Sequence, residues 1–141
     1  MTFEFMSAVI DTLLPGDRRV PPLPTGTAAG VTTKLQRLAA GRDRALRDLV
    51  LQAIASAARG ENAFVRADDA GRIASVRRVE AKIPGPFRAL VALVLQDYYD
   101  SEIVLLAMGW RAEPPQPEGH LLSPFDEALL EPVKRRGRIW R

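Results

Sequence analysis

The sequence predicts an all-α protein: one compact bundle of about five or six helices with an extended proline-rich connector and an irregular C-terminal strap. Three observations support this. Apolar residues recur at helical spacing along most of the chain. No useful length alternates apolar and polar residues, as a half-buried strand would. Glycine or proline stands where the apolar stripes stop. We therefore predict one domain over residues 1–141, with a helical core (1–121, connector 16–26) and a basic tail (122–141).

The first helix is predicted near the N-terminus, where "PGD" at 15–17 ends an amphipathic stripe. The apolar members of this stripe are Phe3, Met6, Val9, Ile10, Leu13 and Leu14. The following "RRVPPLPTGT" predicts an extended connector stiffened by its prolines. Thr27 is then expected to cap a second helix that directs Val31, Leu35 and Leu38 inward and ends at Gly41.

The third helix is predicted from Asp43 to Arg59, with Gly60 as its stop. Its apolar stripe consists of Leu46, Leu49, Val50, Ala53, Ile54 and Ala57. A fourth helix, capped by Asp68 or Asp69, is expected to direct three side chains to one face. These are Ile73, Val76 and Val79.

The fifth helix has the broadest apolar face, which predicts a central position, and it follows the interruption "IPGP" at 83–86. Its stripe comprises Phe87, Leu90, Val91, Val94, Leu95 and Tyr98, widened by Ala89, Ala92 and Leu93. A short sixth helix is expected between a Ser101 cap and Gly109. Beyond it, only Phe125–Val133 is a candidate for further regular structure.

The charge is concentrated in the tail. The net charge is +3, and the last eight residues, "KRRGRIWR", carry five cations and no acid, so the rest carries −2. A nucleic-acid-binding domain is expected to have a broad basic face, which this distribution argues against. There is no cysteine, which excludes disulfides and thiolate chemistry.

Motifs for catalysis, metal binding or phosphate binding are missing from the sequence. The single histidine, His120, has no recognisable nucleophile and orienting group around it. "PTGTAAG" at 24–30 has neither the preceding strand nor the lysine of a phosphate loop. An alternative reading is a small enzyme that uses His120 with Glu118 or Asp126. The pattern favours a protein that works through its surface.

The stretch "YYDSEIVLLAMGWRAEPPQPEGH" (98–120) is the main candidate for such a surface. Aromatic side chains and rigid proline segments bury contact area at low entropic cost. The helical stripe directs Tyr98 inward, so this residue is a core candidate as well as an interface candidate. The basic tail, with Arg138 and Trp140, is the second candidate contact.

Two blocks of the sequence resemble the family named after gluconate 2-dehydrogenase subunit 3. The first is "AVIDTLLPGD" (8–17), followed by a proline stretch and "TAAGV" (27–31). The second is "FRALVALVLQDYYDSEIVLLAMGW" (87–110), continued by "PPQPEGH". The family shows this order of a Leu-Pro turn, a paired-tyrosine helix and a proline-rich run. His120 stands where the family more often has tyrosine.

The resemblance implies a non-catalytic small subunit without a cofactor of its own. Its expected partner is a large FAD-dependent sugar or alcohol dehydrogenase of the glucose–methanol–choline type, which holds the FAD, and a cytochrome c subunit is a further expected partner. The partner-binding residues expected are Tyr98, Tyr99, Trp110, Pro114, Pro115, Pro117, Gly119, His120, Arg138 and Trp140.

The chain departs from the family in its N-terminus, "MTFEFMSAV", which lacks the twin-arginine signal the family often carries. The expectation is a cytoplasmic protein, or a periplasmic one if it is exported with a partner. No apolar run is long enough for a membrane span. The alternative function is a stand-alone interaction or regulatory module, with the basic tail as a nucleic-acid contact.

Overall fold

The computed structural model describes residues 1–17, 20–110 and 126–136, and all regular structure within these ranges is helical. The all-α class is confirmed. In chain order the elements are α1 (Phe3–Leu13), α2 (Val31–Gln36), α3 (Arg42–Ala57), α4 (Glu61–Arg66), α5 (Asp69–Lys82), α6 (Pro84–Tyr99), α7 (Glu102–Ala107), a 3₁₀ turn (Glu127–Leu130) and α8 (Glu131–Arg135).

Helix α6 is central, as its broad apolar stripe predicts, because it packs against α2, α3, α5 and α7. It buries Phe87, Leu90, Val94 and Tyr98. Helix α1 closes the bundle by packing against α2, α4 and α5. The shared hydrophobic core extends in sequence from Phe5 to Val104.

Helix α4 is an element that the sequence pattern did not predict. Its six residues bury a single side chain, Phe64, which is fully buried. The Phe64 ring meets the Phe5 ring of α1 edge to face, with centroids 5.5 Å apart. So short a helix is marginal alone, and contacts with the rest of the protein stabilise it.

Cationic side chains bind the carboxyl ends of four helices. The last carbonyls of a helix have no partner within it, and a cation also interacts favourably with the helix dipole there. Each donor lies on a different helix from its acceptor. The pairs are Arg47 to the Leu35 carbonyl of α2, Arg78 to the Ala57 carbonyl of α3, Arg72 to the Phe64 and Val65 carbonyls of α4, and Lys34 to the Asp97 carbonyl of α6.

The connector folds back on itself, which differs from the extended connector predicted for residues 16–26. The Asp17 amide donates to the Leu23 carbonyl at 3.2 Å, and the Leu23 amide donates to the Asp17 carboxylate at 2.9 Å. Gly26 then lies so close to α1 that a Cβ there would be 2.5 Å from Ile10 Cγ2. Packing against α1 therefore determines the path of the connector.

Helix α2 begins later than predicted, at Val31, after Gly30 with φ of +83°. Thr27 does not cap it. Its amide donates instead to the Asp11 carboxylate of α1 at 2.8 Å, and its hydroxyl lies 3.1 Å from that of buried Thr32. These bonds hold the turn before α2 against α1. Leu38 lies beyond the end of the helix but packs against the core.

The ends of α3 and α7 share one hydrogen-bonding motif. At α7 the Gly109 and Trp110 amides donate to the Leu106 and Leu105 carbonyls, and Gly109 takes a left-handed φ of +80°. This Schellman motif confirms the predicted stop at Gly109. At α3 the left-handed residue is Arg59, with φ of +66°, rather than the predicted Gly60.

Three other predicted boundaries have mixed outcomes. The Asp68 carboxylate caps α5 by accepting from the Gly71 amide at 2.8 Å, as expected. Ser101 occupies the N-cap position of α7, but its side chain makes no capping hydrogen bond. Helix α6 begins at Pro84 instead of Phe87, because proline is compatible with the first helical position.

Four side chains predicted to face inward are exposed. They belong to apolar stripes that are wider than the face each helix packs against its neighbours. They are Phe3 (45% exposed), Leu49 (53%), Ile73 (41%) and Leu95 (37%).

Candidate protein-binding surfaces

The paired tyrosines at the end of α6 are divided between the core and the surface. Tyr98 is 4% exposed, and its hydroxyl donates to the Pro24 carbonyl at 2.7 Å. Tyr99 is 48% exposed, and its ring meets that of Tyr98 edge to face at 5.4 Å. The helical phase explains this, since neighbouring residues point about 100° apart. Tyr98 is therefore a core residue, and only Tyr99 is available to a partner.

An exposed apolar surface continues from Tyr99 along α7. We call it the α6–α7 surface and define it by the exposed apolar side chains Leu95, Tyr99, Ile103, Leu106 and Trp110. Ile103 and Leu106 are three residues apart and therefore share one side of α7. The opposite side carries Val104, which is fully buried. Helix α7 is thus anchored by one fully buried side chain and exposes two of its four other apolar residues.

Trp110 is the most exposed member of this surface, at 65%. Its backbone is nevertheless fixed, because its amide donates to the Leu105 carbonyl at 2.9 Å in the Schellman motif. A tryptophan on a fixed backbone can bury a large area in an interface at little entropic cost. Trp110 is therefore suited to anchoring a partner.

Most other predicted partner-binding residues lie outside the described residues. They are Pro114, Pro115, Pro117, Gly119, His120, Arg138 and Trp140. The catalytic alternative pairs His120 with Glu118 or Asp126, and of these only Asp126 is among the described residues. The Asp126 carboxylate accepts from the Ala128 amide at 2.9 Å.

A second surface, which the sequence pattern did not reveal, is a groove between α3 and α5. Its volume is about 1020 Å³. Its apolar lining includes Leu49, Ala53 and Ala57 from α3, and Val79 and Ile83 from α5. We call it the α3–α5 groove. The exposure of Leu49 points to this groove, but that exposure is known only once the packing of α3 is known.

The charge in this groove is strongly positive. Four cations and one carboxylate line it, a net charge of +3: Arg44, Arg47, Arg78, Lys82 and Asp48. The Asp48 carboxylate accepts hydrogen bonds of 2.9 and 2.6 Å from Arg47 and also lies 3.9 Å from Arg44 Nε. Among the described residues Lys82 has no hydrogen-bond or ion-pair partner, so its charge is available.

Two carboxyl groups have shifted pKa values, in opposite directions. Burial beside α2 raises the pKa of Asp97, although Lys34, with its Nζ 3.8 Å from Oδ1, opposes the shift. The Thr2 amide, which donates to Glu61 at 2.8 Å, holds the pKa of Glu61 below its usual value. Burial explains the shift at Asp97 and the Thr2 amide explains the shift at Glu61, so neither shift identifies a reaction centre.

The described residues contain no group of three or more His, Cys, Asp or Glu side chains arranged to hold a metal ion. Among these same residues, none of the helices has both the length and the hydropathy needed to cross a membrane. Compared with known proteins, the chain matches no protein-family model, no curated protein and no solved structure.

Proposed function

We propose that this chain is a non-catalytic subunit that binds and stabilises a larger FAD-dependent sugar or alcohol dehydrogenase. The exposed α6–α7 surface is the observation that carries the proposal. Large exposed apolar patches on a soluble domain mark interaction sites, because their exposure to water is unfavourable. The partner class comes from the resemblance to the gluconate 2-dehydrogenase subunit 3 family.

The arrangement of the α6–α7 surface favours protein binding over small-molecule binding. Its side chains project from a helix and its C-terminal turn instead of lining an enclosed cavity. Tyrosine and tryptophan are enriched among the residues that dominate interface energy. Tyr99 and Trp110 supply both, and the buried Val104 holds α7 in place beneath them.

The test is co-expression with the FAD-dependent dehydrogenase encoded beside this chain, followed by affinity purification and size-exclusion chromatography. We expect the two proteins to elute together with FAD bound to the large chain. If they purify separately at micromolar concentration, or if no such dehydrogenase is encoded there, the proposal is wrong.

Two variants locate the contact. Trp110→Ala and Leu106→Ser should each weaken the complex about tenfold or more, because each removes apolar area from the surface. Ile73→Ser is the matched control, since Ile73 is also exposed (41%) but lies on α5, outside both the α6–α7 surface and the α3–α5 groove. Equal weakening by Ile73→Ser would show that the effect is not specific to the α6–α7 surface.

A further inference from the structure

We propose that the α3–α5 groove binds an acidic amphipathic helix of a partner protein. This site is distinct from the α6–α7 surface and does not depend on the identity of the dehydrogenase partner. Three properties of the groove support the proposal: the arrangement of apolar and polar ridges, the length, and the charge.

The ridges of α3 and α5 divide the groove into an apolar floor and polar edges. Residues four apart lie in one row along a helix. On α3 one such row is Leu49, Ala53 and Ala57, and the neighbouring row is Arg44, Asp48, Gln52 and Ser56. On α5 and the residue that follows it, the corresponding rows are Val79 with Ile83, and Arg78 with Lys82. Except for the exposed Leu49, the apolar rows are buried or half-buried, and the polar rows are exposed except for the half-buried Asp48, which complements an amphipathic helix.

The length of the groove is that of a short helix. Its lining along α3 extends from Arg44 to Ala57, which corresponds to about 20 Å at a rise of about 1.5 Å per residue. The α5 side is shorter, from Arg78 to Ile83, and Met1, Met6 and Gln36 complete the lining. An occupying helix of about fourteen residues would follow this length. The small side chains of Ala53 and Ala57 leave room for its apolar face, and Leu49, which is exposed to water, would be covered by it.

The positive charge of the groove indicates that its occupant is acidic. Arg44 on the α3 edge and Lys82 on the α5 edge flank the apolar floor, so an occupant with Asp or Glu on both sides of its apolar stripe is complementary. A second copy docked through its own α3 and α5 is a poorer match, because these two helices together carry seven Arg or Lys side chains and only four Asp or Glu side chains. Like charges across an interface would oppose that association.

The binding experiment uses fluorescence anisotropy with a labelled peptide of about sixteen residues, with leucines at i, i+3, i+4 and i+7 and glutamates beside them. A scrambled peptide of the same composition and a peptide with lysine in place of glutamate are the ligand controls. We expect micromolar binding of the acidic peptide, weakened by salt, with the scrambled and lysine peptides binding at least about tenfold more weakly.

The variants test whether binding occurs in the groove. The double variant Arg44→Glu/Lys82→Glu should lose at least about tenfold in affinity for the acidic peptide and gain affinity for the lysine peptide. Leu49→Ser should weaken the binding of both the acidic peptide and the lysine peptide. The matched control is Arg42→Glu/Arg77→Glu, which changes the net charge equally on the same two helices outside the groove lining. It should bind within about threefold of the wild type.

Several outcomes would overturn the proposal. These are no binding of the acidic peptide below about 1 mM, equal binding of the scrambled peptide, or equal loss in the control double variant. Tighter binding of a single-stranded oligonucleotide would identify a nucleic-acid groove instead. A dimer that sedimentation detects and Arg44→Glu/Lys82→Glu abolishes would identify a second copy as the occupant. Thermal unfolding of each variant confirms that it is folded.

Discussion

Two neighbouring tyrosines lie in different environments. Tyr98 is in the interior of the bundle, and Tyr99 is on its surface. Tyr98 packs in the core and joins α6 to the connector through the Pro24 carbonyl. Tyr99 begins the exposed apolar surface that continues to Trp110. Composition is the same at both positions, and only the helical phase differs. Aromatic residues in this chain therefore serve the fold or the surface according to the direction they face.

The largest expected effect comes from truncating a buried aromatic ring. Phe64→Ala should reduce the free energy of unfolding by about 3–5 kcal/mol, because it leaves a cavity against Phe5 and removes the anchor of α4. Trp110→Ala should change it by less than about 0.5 kcal/mol, because the ring is exposed. Urea denaturation measures both. A loss of stability on Trp110→Ala comparable to that of Phe64→Ala would place Trp110 in the structural core and remove the contrast.

The next effect is at the tyrosine pair itself. Tyr98→Phe should cost about 1–2 kcal/mol of unfolding free energy, because the Pro24 carbonyl loses its donor in a part-buried position. Tyr99→Phe is the matched control and should lie within about 0.5 kcal/mol of the wild type. The same denaturation experiment applies. Equal effects of the two changes would show that the hydroxyl bond to Pro24 does not stabilise the fold.

The longer helices were predictable from the sequence because their buried residues recur at the spacing of one helix face. The stripes of α1, α3, α5 and α6 each place several side chains in the core. Helix α4 was not predictable, because one buried residue, Phe64, gives no periodicity. Its stability comes from Phe5, which is distant in sequence, and from Arg72 on the helix that follows it. The same limit applies to the turn at Thr27, whose partner Asp11 lies on α1.

Part of the α6–α7 surface was predictable from the sequence, and the α3–α5 groove was not. The exposure of Tyr99 and the stop at Gly109 follow from local pattern. The α3–α5 groove does not, because Leu49 belongs to the same apparent stripe as the buried Val50 and Ile54. Only the packing of α5 against α3 decides which apolar residues are covered. A wide apolar stripe on a helix therefore predicts burial without saying whether a neighbouring helix or a partner supplies it.

A smaller effect is expected at the two Schellman motifs, one at the end of α3 and one at the end of α7. Arg59→Gly should stabilise the fold by about 0.5–1 kcal/mol, since glycine adopts the left-handed conformation without steric cost. Gly109→Ala should destabilise by about 1 kcal/mol for the opposite reason, and a Cβ there would meet no other atom. Thermal unfolding measures both. Stabilisation by Gly109→Ala would contradict the assigned backbone conformation.

The smallest effect, a pH dependence, distinguishes the two shifted carboxyl groups. The pKa of Asp97 is raised, mainly by burial, so the folded state binds its proton more tightly than the unfolded chain. Stability therefore falls as pH rises from about the ordinary Asp value through the folded pKa. The pKa of Glu61 is lowered, mainly by the Thr2 amide, so its contribution is present above the ordinary Glu value and is lost as pH falls through the folded pKa.

Urea denaturation between about pH 3 and 7 tests these signs, since both ordinary pKa values lie in this range. In Asp97→Asn the decline in stability with rising pH should disappear, and at neutral pH the variant should be at least as stable as the wild type apart from the lost ion pair with Lys34. In Glu61→Gln the loss of stability at acid pH should become shallower. The shift at Asp97 comes mainly from burial, whereas the shift at Glu61 comes mainly from the Thr2 amide. Parallel pH profiles for the two variants would therefore contradict shifts of opposite sign at these two sites.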